Sequence, residues 1–237
     1  MRDIKIVSTY LAVMVVLIVA PFSNARADFQ SGMFITYAQQ SWGSVGTPAS
    51  QLLAAHVDSL YPNGVEVGIP GATGSSALFT TLQSILSYLP QGGVPGPLDN
   101  DYLDPTTTSS GVFGGYVLAL QFNVDFNDAG FLIGTSAIRF GDLVLVDTAY
   151  PDFNGLTVRQ HLDLVNDFLG GASLPYSYDD IASLTDSITL AFEGGVPTQF
   201  AQDHLAVAPE SVPEPSSMSL LLLGALLLVH RRVTRQT

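Results

Sequence analysis

The sequence predicts an α+β domain, helix-rich, with a few short strands and long Gly/Pro/Asp loops, set between two terminal segments that belong to no fold. Three observations carry this expectation. Apolar residues recur at helical spacing in five stretches between residues 50 and 192. Strand-like runs are short, as at 65–69 and 142–147. Gly, Pro, Asp and Thr crowd into residues 91–110, a connection long enough to be unusual in a compact domain. Residues 28–208, about 180 in all, suit a single core.

Residues 29–46 read as an extended entry anchored by Phe34, Tyr37 and the one tryptophan, Trp42. Thr47-Pro48-Ala49 opens a helix over 50–60, with Leu52, Leu53, Val57 and Leu60 on one side. Asn63-Gly64 is a turn signal, and 65–69 alternates as a short strand should. Residues 71–76 read as a loop. Leu78, Phe79, Leu82, Ile85, Leu86 and Leu89 then keep helical spacing until Pro90 stops them.

Beyond the 91–110 loop, residues 111–128 fit two templates. The stretch 120–126 alternates like a strand, while Phe113, Tyr116, Val117, Leu120 and Val124 share one helical face. The run is long for a strand, which favours a helix. Residues 142–147 read as a short buried strand. Thr157 caps a helix through Leu162, Val165, Phe168 and Leu169 that stops at Gly170-Gly171. Ser177 with Asp180 forms a capping box for another, through Ile181, Leu184, Ile188 and Phe192 to Gly194-Gly195. After Val196 the chain grows polar and leads into a Pro-rich linker, 209–217.

Charge is uneven along the chain. Of 237 residues, 21 are Asp or Glu and eight are Lys or Arg. Residues 28–215 hold 20 of those acids and two bases, Arg139 and Arg159, for a net charge of −18. Such a surface repels nucleic acid, which is excluded as a partner, and repels anionic polysaccharide unless divalent cations bridge the two. Sixteen of the 20 acids are Asp, the residue of turns and helix caps and the usual oxygen donor in calcium loops. There is no cysteine, so burial rather than disulfides must supply the stability of the domain.

Enzymatic constellations are sparse. The chain has no Gly-x-Ser-x-Gly elbow, phosphate loop or His-Glu-x-x-His. His161 has apolar Val165 at i+4, where a second zinc ligand would sit, so it reads as part of a solvated helix face. Asp99, Asp101 and Asp104 put three carboxylates into six loop residues and are the candidate calcium ligands. Asp125 to Gly130 echoes half an EF-hand loop but fails at Ala129 and at Ser136, and reads as a turn.

The two chain ends have their own logic. A net-positive start, an apolar core over 6–20, Pro21 and then Ala25-Arg26-Ala27 make residues 1–27 a secretory signal peptide. Ala25 and Ala27 fill the two positions signal peptidase reads, with cleavage expected before Asp28. At the other end, Pro213-Glu214-Pro215 precedes an apolar run at 218–229 and a basic tail, 230–237, with Arg231, Arg232 and Arg235. Twelve residues span about 18 Å as a helix, short against a hydrocarbon core of about 30 Å. Flanking serines and the stem of Arg231 extend the run to a marginal transmembrane helix, with the arginines on the cytoplasmic side.

This three-part tail closely resembles the PEP-CTERM sorting signal of Gram-negative, exopolysaccharide-producing bacteria, read by exosortase, a membrane transpeptidase-like enzyme. The resemblance covers only the tail. It implies a protein exported through the inner membrane, held there transiently and processed by signal peptidase and exosortase. It further implies a destination at the cell surface or in the exopolysaccharide matrix, with exopolysaccharide a further partner and the ectodomain non-enzymatic. Two other readings stay open: a carbohydrate-binding module stacking sugars on Tyr37, Trp42, Tyr102 and Tyr176, and a hydrolase with two carboxylates about 5 to 9 Å apart.

The middle region also resembles a secreted bacterial module. The likeness lies in Thr36-Tyr37-x-Gln39-x-x-Trp42-Gly43, Leu89-Pro90-Gln91-Gly92-Gly93-x-Pro95-Gly96 and Val117-Leu118-Ala119-Leu120. It spans most of residues 28–200, its motifs are structural in type, and it implies no catalytic residue.

Overall fold

A computed structural model of the protein describes residues 28–71 and 73–208. Outside them lie the expected signal peptide, the Pro-rich linker, the apolar run at 218–229 and the basic tail.

The domain is organised around one buried helix. In chain order the elements are α1 (Gln39–Gly43), α2 (Pro48–Leu60), β1 (Val65–Gly68), β2 (Ser76–Phe79), α3 (Leu82–Tyr88), β3 (Tyr102–Leu103) and α4 (Val112–Asp128). A 3₁₀ turn at Phe140–Asp142 leads into β4 (Leu143–Leu145), and a second lies at Pro151–Phe153. Then follow α5 (Val158–Leu169), α6 (Tyr178–Thr189), α7 (Gln199–His204) and β5 (Leu205–Val207). The mostly helical domain with few short strands agrees with the sequence expectation.

Helix α4 explains why its own sequence is ambiguous. Phe113, Val117, Leu118, Ala119, Leu120, Phe122, Val124 and Phe126 are all buried, and they point to every side of the helix. A helix apolar all round is a core helix, and it fits a strand template as well as a helical face. α5 and α6 cover one side of it, and α1 another. Trp42 of α1 lies against Phe122 and Phe126 at ring-centroid distances of 5.3 and 5.2 Å.

The approach of α1 and α3 to α4 depends on two glycines. A Cβ on Gly114 would fall 2.3 Å from Tyr88 Oη, and one on Gly115 would fall 2.0 Å from Gln39 Oε1. Both atoms are engaged: Gln39 Oε1 accepts from Gln91 N at 2.9 Å, and Tyr88 Oη lies 3.2 Å from Thr108 Oγ1. Glycine is used here because only hydrogen fits.

Two small sheets complete the fold. In the first, β1 pairs antiparallel with β2 (Val65 opposite Phe79) and β2 pairs parallel with β3 (Ala77 opposite Tyr102). In the second, β4 pairs antiparallel with β5, with Leu143 opposite Val207. Helix starts follow the hydroxyl rule: Thr47, Thr81, Thr157, Ser177 and Thr198 each accept a backbone N–H three residues on. Each such cap contributes about 1 kcal/mol.

Several sequence expectations change. Residues 76–79 are a strand, and the helix expected from Leu78 begins only at Leu82. Thr81 and Ser84 form a capping box that sets the start, leaving Ala77 and Phe79 to alternate inward on the strand. The polar region after Val196 folds into α7 and β5. The entry segment is not wholly extended, because Glu193 accepts from Ala38 N at 2.6 Å and Ser41 Oγ at 2.9 Å and holds the short α1. Asp125 and Asp128, read as part of a turn, form the last helical turn of α4.

Candidate functional site

The two bases of the acidic domain meet at the C-terminal end of α4. Asn127 fixes the backbone there, donating to Leu132 O at 2.7 Å and accepting from Phe140 N at 2.9 Å. This brings Arg139 back to the helix end, where its Nη1 donates to the carbonyls of Asn127 (2.5 Å) and Asp128 (2.8 Å). A guanidinium at this position satisfies orphan carbonyls and opposes the negative end of the helix dipole.

Arg159, the second residue of α5, grips the Asp128 carboxylate with two nitrogens, at 2.5 and 3.0 Å, and reaches Asp142 at 3.4 Å. The Asp128 hydrogen bonds raise the Arg159 pKa above its ordinary value. Arg139 is exposed, and among the described residues no carboxylate pairs with it. Beside it lies a pocket of about 260 Å³ lined by Met33, Asn127, Ile133, Ala137, Ile138 and Arg139. Ile133 and Ile138 are exposed, so the rim combines apolar surface with one available cation. It can accept an acidic segment with apolar neighbours. It holds no paired acid and base.

In the acidic loop each of the three candidate calcium ligands accepts a hydrogen bond from a neighbour. Asp99 Oδ1 accepts from Tyr102 Oη at 2.6 Å, and Asp101 Oδ1 accepts from Ser76 N at 3.0 Å. Asp104 binds Thr80 through both oxygens, accepting from N at 2.7 Å and Oγ1 at 2.6 Å. Hydrogen bonds from Tyr102 and from Thr80 hold Asp99 and Asp104 below the usual carboxylate range. Asp101 and Asp104 tie the loop to β2 and to the residue that follows it, while Asp99 ties the loop to itself. Among the described residues, no three His, Cys, Asp or Glu side chains gather in a group that could hold a metal ion.

The four candidate sugar-stacking rings do not form a row. Trp42 is fully buried, with Tyr37 against it edge-on at 5.8 Å. Tyr102 is half-buried and bonded to Asp99, and Tyr176 donates to Asp152 at 2.8 Å.

His161 corrects the sequence reading outright. It lies in the core, not on a solvated face, with Nε2 3.2 Å from Thr185 Oγ1 and Nδ1 without a partner. Burial pushes its pKa down to about 3. The signal was present in the sequence: 161, 165, 168 and 169 form one helical stripe, which the apolar Val165 extends to His161. Burial shifts two half-buried acids upward, again toward the uncharged form. Burial raises Asp125, which accepts from Tyr61 Oη at 2.7 Å, and burial raises Asp186 to about 6.

Ala25, Ala27, Pro213, Glu214, Pro215, Arg231, Arg232 and Arg235 lie outside the described residues. Comparison with known proteins bears on this tail. Residues 211–236 match the family described as the PEP-CTERM protein-sorting motif. The chain therefore carries a C-terminal PEP-CTERM sorting motif, a signal that implies export toward the surface and recognition by an exosortase. No curated protein and no solved structure matches the chain, and the resemblance of residues 28–200 to a secreted module has no counterpart there. One expectation is corrected. Among the described residues no helix is long and apolar enough to cross a membrane, so the transmembrane helix expected of this chain is not found. The 218–229 run on which that expectation rested lies outside those residues.

Proposed function

We propose that this protein is an exported surface or exopolysaccharide-matrix component whose folded domain acts by presence and binding, not by catalysis. The observation that carries the reading is the match of residues 211–236 to the sorting motif. The signal-peptide pattern of residues 1–27 supports it, with signal peptidase acting before Asp28 and exosortase acting at Pro213-Glu214-Pro215. An acidic surface suits this destination, because a strongly charged exterior keeps a protein soluble at high local concentration. Exopolysaccharide is the partner expected there.

The test replaces Pro213, Glu214 and Pro215 together with alanine in the native host. The altered protein should accumulate in the cell envelope while its domain keeps the wild-type circular dichroism. Normal delivery to the outside, in normal amount, would reject the sorting role.

A further inference from the structure

A second pocket, of about 190 Å³, opens between α6, α7 and residues 148–150. Five side chains on its wall carry a proton they could donate: Thr148, Tyr150, Ser183, Ser187 and His204. Every one of those protons is already committed. Ser183 and Ser187 lie one turn apart on α6, and each donates at 2.8 Å to the carbonyl four residues back, those of Asp179 and Ser183. Thr148 Oγ1 donates to Tyr150 O at 3.0 Å, and Tyr150 Oη donates to Asp180 Oδ1 at 3.3 Å. His204 Nδ1 lies 3.2 Å from the carbonyl of Val146, which can only accept. The ring proton therefore sits on Nδ1, and the neutral ring keeps Nε2 as a bare lone pair.

These side chains offer an occupant lone pairs and no proton. The ring of Phe200, 5.1 Å from that of His204, adds an aromatic surface beside Tyr150. No base lines the pocket, and residues 28–208 carry 18 acids against two bases, Arg139 and Arg159, both at the end of α4. Acceptors without donors, aromatic rings and a negative field select the same guest, a cationic donor. An ammonium group has three N–H donors and no acceptor. The volume is below the roughly 300 Å³ at which drug-sized sites begin, so it suits one such group on a small body.

We propose that this pocket binds a primary ammonium group, of the kind carried by an amino sugar whose nitrogen is not acetylated. The amino sugar as its source rests on the matrix reading above. The ammonium site itself does not.

Titration calorimetry on the full chain in a neutral detergent would compare a glucosamine trimer, the same trimer fully N-acetylated, and putrescine. Acetylation removes the charge and keeps the sugar, so the free amine should bind about tenfold tighter or better. Putrescine binding without the glucosamine trimer would support the ammonium site and reject the amino-sugar source. An acidic domain attracts any cation, so a variant that alters no charge decides where the amine sits. Ser183→Ala with Ser187→Ala removes two acceptors from the wall and places good helix formers on α6. Affinity for the amines should fall about tenfold in this variant, with the melting temperature held. Unchanged affinity there, equal binding of the acetylated trimer, or no binding of either amine would overturn the proposal. None of these outcomes touches the sorting reading, which stands or falls on the Pro213, Glu214 and Pro215 replacement.

Discussion

The two ends of α4 are held by opposite means. At its start Gly114 and Gly115 let Tyr88 and Gln39 approach so closely that no side chain fits between, and both approaching groups are neutral. At its end two arginines gather on carbonyls and carboxylates that remain partly open to solvent. One end is specified by shape and the other by charge. The shaped end tolerates no added atom and ignores salt. The charged end should tolerate substitution and respond to ionic strength.

The largest expected effect is at the shaped end. Gly115→Ala forces Gln39 away and breaks its pairing with Gln91, at a cost of about 2 to 3 kcal/mol. Chemical denaturation should show that loss unchanged between low salt and high salt.

His161 comes next, as a buried base that cannot charge without cost. Its pKa falls from 6.5 unfolded to about 3 folded, so its contribution is complete above the unfolded value and is lost as pH drops from about 6.5 toward 3. At pH 4.5 the loss is on the order of 2 kcal/mol. The pH dependence of stability between 7 and 4.5 should flatten in His161→Gln relative to wild type.

Arg159→Met tests the charged end. Its pair with Asp128 is partly exposed, so the expected loss is about 1 kcal/mol, shrinking as salt rises. A loss as large as that of Gly115→Ala, and equally blind to salt, would erase the distinction between the two ends.

The smallest effect is at Asp186. Its pKa is raised to about 6, so its ionisation opposes folding as pH climbs through that value. Asp186→Asn should therefore stabilise at pH 7.5 and not at pH 4. Partial exposure limits the gain to about 1 kcal/mol or less, read as a small rise in melting temperature.

Much of this fold could be read from the chain because its helix starts are chemically marked. Thr157 with Gln160 and Ser177 with Asp180 announce α5 and α6, and Gly170 announces the end of α5, whereas α6 stops at Thr189, ahead of Phe192 and the Gly194-Gly195 pair expected to end it. The β2 strand was hidden because Leu78 and Phe79 fall into helical register with Leu82 and Ile85. Only the Thr81 cap breaks that register, and its partner is a serine rather than the Glu or Gln of the usual box. α7 and β5 were hidden because their polar residues serve distant partners, as Gln202 does with both backbone atoms of Phe29.

The site divides in the same way. The tail motif is legible because it is read as a linear sequence. The arginine rim is not, because Arg139 and Arg159 are twenty residues apart and meet only through the fold. Their rarity in an acidic domain was the available clue.

The central claim, a sorted and processed surface protein, is tested most directly by intact-mass measurement on fractionated native cells with and without exosortase. The account predicts a species that begins at Asp28 and lacks the residues beyond Pro213-Glu214-Pro215, found outside the cell only when exosortase is present. A C-terminus intact to Thr237 in both strains would contradict it.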